Sequence, residues 1–269
     1  MIGAITAGLL GVVTPPAPFN PTSITGCQLW LDASDTATIS VSGTAVTQWT
    51  DKSANAYTFT QGTAGSRPSS GTRTKNSLNL IDFDGNDYLS STAATTAWKF
   101  LSDGTNHTIF IVANSDTPSV YGATFGNANG TGTIGFYGPM FRDAPQNIGT
   151  WITKGGGAGA GVVDNIGGTW ATSTFYYITV RQKPSDATAA NRSKTQVNLA
   201  TAFSNNTQTA TPSSSNPTNS IILGGVLNNS SVPANQLDGA IGEIIIYNSY
   251  LSDTDTSTVQ SYLATKWAI

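Results

Sequence analysis

The chain has 269 residues, only 10% of them charged, with a net charge of -3; it is long enough for one large β domain and has no basic footprint for nucleic acid or an anionic membrane. A single cysteine, Cys27, and a single histidine, His107, exclude an intrachain disulfide framework and a Cys/His zinc site. Solubility rests on hydroxyls and amides, a composition that suits strands and turns and repels neighbouring copies only weakly.

The opening run "MIGAITAGLLGVVTPPAPFNP" has no Lys or Arg before Lys52, so the basic region of a secretory signal is missing. Its apolar stretch, residues 2–13, is shorter than the roughly 20 residues of a membrane-spanning helix and is stopped by Pro15, Pro16 and Pro18. Gly3, Gly8 and Gly11 among β-branched residues argue against a lone helix. The expectation is an extended arm, buried through Ile2, Ile5, Leu9, Leu10, Val12 and Val13 and followed by a stiff proline spacer. Residues 1–26 are assigned to this attachment arm and residues 27–269 to the body.

From Cys27 onward short β segments recur: "CQLWLD", "AVTQWTD", "AYTFTQ", "SLNLIDFDG", "HTIFIVAN", "TIGFYG", "GTWITKG", "FYYITVRQ", "KTQVNLA", "SIILGG" and "IGEIIIYN". Their number and spacing predict an all-β sandwich, with incomplete alternation where strands lie deep between two sheets. "KGGGAGAGV" from Lys154 and "SNNTQTATPSSSNPTNS" from Ser204 are loops; the first lacks the Lys-Ser/Thr of a phosphate cradle. A short helical piece is expected at "TTAWKFLSDG". The chain ends in a helix capped by Ser252, with Asp255 against the N-terminal dipole and an apolar stripe of Val259, Tyr262, Leu263 and Trp267.

Chemistry-bearing residues are sparse. Asp82, Asp84 and Asp87 surround "DFDGND", which is ordinary turn chemistry or, alternatively, a cluster of oxygens for calcium; no other cofactor is called for. His107 lacks a companion nucleophile motif and reads as packing. Tyr121, Tyr137, Trp151 and Trp170 lie near Gly-rich loops and are the candidates for stacking on a sugar, although a sandwich interior also needs aromatics.

The blocks "LWLDASDTATI", "VTQWTDKSANAYTFTQ", "RPSS", "LIDFDGNDYL", "HTIFIVA", "LDGAIGEIIIYNSYLSD" and "VQSYLATKWAI" resemble, in that order, the laminin-G-like, concanavalin-A-like jelly-roll superfamily. The likeness spans residues 26–269 and is strongest to a branch found in bacterial surface proteins and tailed-phage virion proteins. It implies a two-sheet jelly-roll sandwich with an extended N-terminal arm and a short C-terminal helix. Trp30 and Trp49 would anchor the sheets to each other, Gly85 would make a tight turn, and Gly239 and Gly242 would permit a bulge or close approach. Ala54 and Ala268 stand where the family often has glycine, which puts those turns in question.

Relatives that hydrolyse glycosides carry two glutamates and an aspartate on one strand, whereas Glu243 is the only glutamate here, with Ile241 and Ile245 as its expected same-face neighbours. The expectation is therefore a protein that is not an enzyme. "MIGAITAG" resembles short starts of modular phage virion proteins, which points to a structural protein on the virion surface, as capsid decoration, head fibre or tail adhesin. Its partners would be capsid or tail proteins, further copies of itself, as a trimer by analogy, and a host glycan, with neither nucleic acid nor membrane insertion. The alternative is a secreted or cell-surface glycan-binding module.

Overall fold

The computed structural model describes residues 19–117, 121–128, 132–142, 147–154, 165–198, 203–207 and 212–269. Its strands pair antiparallel, and all but the separate pair Val226–Leu227 and Pro233–Ala234 join into a curled sheet whose halves face each other as a sandwich. In one half the long strand Asp238–Tyr247 is central, flanked by Cys27–Asp32 and Leu78–Asp84 on one side and by His107–Ala113, Tyr176–Gln182 and Ser193–Val197 on the other. The other half runs through Ala45–Thr50, Thr58–Thr60, Leu89–Ser91, Ile222–Leu223, Phe125–Gly126, Ile134–Phe141 and Asn147–Lys154.

Alternation along each strand divides the apolar side chains between two cores. Leu29, Leu31, Ile109, Ile111, Ile241, Ile244 and Ile246 point between the sheet halves with Trp49, Phe59, Phe125 and Phe136. Phe110, Val112, Ile245 and Tyr247 point outward and are covered by the C-terminal helix, Asp253–Trp267, through Val259, Leu263 and Trp267. Trp49 thus bridges the sheets as expected, but Trp30 does not: between inward Leu29 and Leu31, it faces the helix.

A bulge between Ile241 and Glu243 corrects a second expectation. Ile241 stays opposite inward Ala113 while Glu243 moves opposite outward Val112, so the glutamate shares its face with Ile245 and not with Ile241. The residue in between, Gly242, makes room for the helix: a Cβ there would stand 3.0 Å from the Trp267 ring.

The helix begins as read. Ser252 Oγ accepts from the Asp255 backbone N–H at 3.0 Å and donates to the Asp255 carboxylate at 2.7 Å. It ends at Ala268 in the left-handed conformation, φ 51 and ψ 59, so alanine adopts here a helix-end geometry that glycine usually serves. The expected short helical piece is the 3-10 segment Thr95–Leu101, and the turn at Gly85 has φ +90.

Residues 19–26 pack against the body. The Phe19 ring lies 5.3 Å from that of Tyr262, and the Tyr247 hydroxyl donates to the Pro21 carbonyl at 2.9 Å. The arm residues Ile2, Ile5, Leu9, Leu10, Val12 and Val13, like the Gly-rich loop after Lys154, lie outside the described residues.

Candidate functional site

On the half of the sheet that the helix does not cover, two neighbouring strands turn their large side chains outward. In Ile134–Phe141, Phe136 and Phe141 enter the core while Tyr137 and Met140 face out; in Asn147–Lys154, Ile148 and Ile152 enter it while Trp151 faces out. Tyr137 and Trp151 are register partners, their ring centroids 5.1 Å apart and their planes inclined by 33°. With Ala123 and Val226 they form a small apolar cluster separate from both main cores.

Tyr121 and Asn235 complete a depression of about 180 Å³ with Tyr137, Met140 and Trp151. Tyr121 is 36% exposed, whereas Tyr137 and Trp151, at 6% and 8%, form the floor. The Asn235 amide donates to the Tyr137 hydroxyl, and burial holds that phenol well above its ordinary pKa, so it remains protonated. The Arg142 guanidinium stands 5.2 Å from the Trp151 ring and 5.7 Å from that of Tyr121. Gly149 permits this layout, because a Cβ there would meet the Trp151 ring at 2.8 Å and the Arg142 side chain at 2.9 Å.

Three of the four aromatic candidates therefore converge, and Trp170 is the exception. Its indole is buried edge-on against Phe141 and donates to the Arg142 carbonyl at 2.8 Å, so it packs the core and steadies the segment carrying Arg142. Arg142 and Asn235 were missed from sequence, having no local signal.

The three aspartates of the turn make separate contacts. Asp82 is drawn to Arg73 at 3.1 Å, and Arg73 also grips Asp116 through two contacts at 2.5 and 3.1 Å. Asp84 accepts from the Asn86 backbone N–H at 2.9 Å, and Asp87 accepts from that of Asp84 at 3.2 Å, so both serve the turn. Burial, together with the neighbouring Asp84 charge, lifts the Asp87 carboxyl to about 6. Among the described residues no group of three or more His, Cys, Asp or Glu is placed to hold a metal ion.

His107 is buried edge-on between Phe100 and Phe136, with Nδ1 against the Thr105 carbonyl at 3.0 Å. Desolvation lowers its pKa to about 4, so it is neutral near pH 7 and acts as packing.

Glu243 is fully buried under the C-terminal helix and receives four donors. Trp30 Nε1 and the Tyr262 hydroxyl reach Oε1, each at 2.8 Å; Lys266 Nζ at 2.9 Å and Trp267 Nε1 at 2.8 Å reach Oε2. Lys266 also contacts Asp32 at 2.7 Å, and Asp32 is shared with Lys52 at 3.2 Å. The arrangement clamps the helix to the sheet and leaves the glutamate no open side.

No protein-family model matches the chain, and comparison with curated proteins gives no match. Among solved structures it is similar to the Trypanosoma rangeli sialidase, in complex with 2,3-difluorosialic acid (TM-score 0.55, 13% identity, 94% of this chain and 36% of that one) and with the inhibitor DANA (0.51, 14%, 86% and 32%). A further likeness is to the CBM40 module of the Ruminococcus gnavus IT-sialidase bound to α2,3 sialyllactose (0.47, 16%, 59% and 83%). The chain spans about a third of the length of the T. rangeli enzyme. The likeness to the T. rangeli sialidase links the chain neither to a virion nor to a laminin-G family. The T. rangeli likeness does overturn the expectation that the chain is not an enzyme: this fold occurs within about a third of an enzyme's length, so the single glutamate gives no ground for that exclusion. At these identities the likeness is one of fold, and the chain is an all-β jelly-roll sandwich with a C-terminal helix.

Proposed function

We propose that the chain is a carbohydrate-binding, lectin-like module whose ligand seats a sugar ring at Tyr121. The observation that carries the reading is the convergence of Tyr121, Tyr137 and Trp151, from separate segments, on one outward depression with an amide at its rim. An aromatic face pairs with the C–H face of a pyranose, while the Asn235 amide and the protonated Tyr137 hydroxyl can bond its hydroxyl groups. At about 180 Å³ the depression is smaller than the roughly 300–1,000 Å³ of drug-sized sites, so it takes one residue of a glycan. Such a contact binds weakly, with Kd on the order of 1 mM. A glycan array followed by NMR titration of the best ligand tests this. Tyr121→Ala should abolish saturable binding without changing the thermal melt, and a chelator should leave wild-type binding intact. Undiminished binding by Tyr121→Ala, or no glycan bound at millimolar concentration, would overturn the reading.

A second reading displays this module on the surface of a tailed-phage virion, attached through residues 1–26 to capsid or tail proteins and present in several copies. It is supported by the apolar, proline-ended sequence of residues 2–18, which leads into a segment fixed to the body by Phe19 and Pro21. Deleting residues 1–18 should abolish incorporation into particles and leave the melting temperature unchanged. Normal incorporation of the truncated protein would dismiss this reading.

A further inference from the structure

A second cavity, of about 320 Å³, lies on the helix side of the molecule, away from the aromatic depression. Its lining comes from two adjacent strands (Arg181 and Lys194), from Phe203, and from the first turn and a half of the C-terminal helix (Asp253, Thr256 and Ser257). Arg181 and Lys194 are register partners, which sets two cations side by side. Lys183 adds a third nearby, its Nζ 4.2 Å from the Tyr250 ring that also carries the Arg181 guanidinium at 4.1 Å. A chain with 12 Lys and Arg and a net charge of -3 has thus gathered a quarter of its cations at one helix N-terminus, where backbone N–H groups and the helix dipole already favour negative charge.

Two buried donors at this cavity have no hydrogen-bond partner among the described residues. Arg181 is 5% exposed; its two terminal nitrogens bond Asp253 at 2.6 Å and the Leu251 carbonyl at 2.5 Å, but Nε bonds nothing. Thr256 is 1% exposed, and its hydroxyl is likewise unpartnered. Buried donors call for an acceptor, and donors beside cations at a helix N-terminus call for an oxyanion. Among the described residues a single acid, Asp253, lines the cavity; its side chain is 93% exposed, so apart from its bond to Arg181 little packing holds it in place.

We propose that this cavity is a binding site for an oxyanion of the phosphate or sulfate type, and that the Asp253 carboxylate stands in for it when it is empty. The incoming anion displaces Asp253 from Arg181, accepts from Arg181 and the Thr256 hydroxyl, and pairs with Lys194. The cavity exceeds the volume of a bare tetrahedral anion, and Phe203 gives it an apolar wall, so an ester carried on an organic group fits as well as the free ion. The site is independent of the sugar reading, since the two share no residue.

NMR titration of the full chain with inorganic phosphate, inorganic sulfate, glucose 6-phosphate and glucose 6-sulfate, at ionic strength fixed with chloride, tests the proposal. Saturable shifts in the amides of residues 253–257 are expected. Asp253→Asn, which removes the competing carboxylate, should bind about tenfold tighter, Lys194→Ala about tenfold weaker, and Thr256→Val, equal in volume, weaker than wild type. Tighter binding of the esters makes an ester the ligand; equal binding makes it the free anion, and either outcome supports the site. The absence of saturable shifts in both wild type and Asp253→Asn would overturn it, as would weaker binding by Asp253→Asn. Thermal melts of the variants check that the helix remains docked.

Discussion

Replacing Glu243 by alanine should lower the unfolding free energy by about 3–5 kcal/mol, the range for removing one partner of a buried charge network. Glutamine should do nearly as much harm, although it matches glutamate in shape. Every group that touches the carboxylate is a donor: two indole N–H groups, one phenol and one ammonium. A carboxylate has lone pairs for all four, whereas a glutamine amide turns an NH2 toward two of them whichever way it is placed. Lys266 softens the loss by keeping Asp32, whereas the Trp30 and Trp267 indoles have no second acceptor among the described residues. The damage then spreads to the helix, because Trp30, Glu243 and the Tyr262–Trp267 turn join three separate segments over the outer core. Urea denaturation of Glu243→Gln and Glu243→Ala, with amide exchange of the helix, measures both effects. A Glu243→Gln protein within 1 kcal/mol of wild type would show that hydrogen-bond polarity is not what the cage depends on.

The clamp also explains which parts of the fold the sequence disclosed. Trp30 and Asp32 lie in "LWLDASDTATI", Lys52 in "VTQWTDKSANAYTFTQ", Glu243 in "LDGAIGEIIIYNSYLSD", and Tyr262, Lys266 and Trp267 in "VQSYLATKWAI". The blocks that carry the family resemblance therefore supply one polar network, and a single glutamate in 269 residues was the local hint of it. Strands with apolar alternation, such as "HTIFIVAN", were legible. Ser69–Lys75, "SSGTRTK", was not, since it has no apolar residue; its pairing is imposed by a hairpin at Asn76 and Ser77, both left-handed at φ 51 and 61. That geometry is usually signalled by Asn-Gly, and serine in the second place hides it. At the aromatic depression the ring-bearing residues were readable but their strand phase was not. Trp151 falls outward opposite Tyr137, while Trp170, just past the strand Asn165–Thr169, turns inward. Arg142 and Asn235 enter through the fold alone.

The other large effect is expected at Gly239, in the middle of the sheet. Gly239→Ala should lower stability by about 2–5 kcal/mol, combining roughly 1–2 for a side chain held at positive φ with about 1–3 for overpacking. The backbone there has φ +154, and a Cβ would stand 2.3 Å from the Asn114 carbonyl oxygen and 2.9 Å from the Ser115 Cα. Both obstacles are main chain, so no rotamer change relieves them, and Asp238–Tyr247 must move away from the segment beyond His107–Ala113. That movement strains the bonds from Asn114 N to the Ala240 carbonyl at 3.0 Å, from Ala240 N to Asn114 Oδ1 at 2.8 Å, and from Asp116 N to the Asp238 carbonyl at 2.9 Å. It also reaches the surface, because Asn114 and Arg73 both hold the Asp116 carboxylate. Gly85 supplies the control. It too is at positive φ, +90, but its Cβ would meet nothing nearer than Asp238 Cβ at 3.6 Å, so Gly85→Ala carries the conformational penalty without the collision. Parallel urea denaturation of the two variants separates the contributions. Equal losses would assign the whole effect at Gly239 to backbone conformation, whereas the larger loss expected there would make the close approach of Asn114 the reason that only glycine fits.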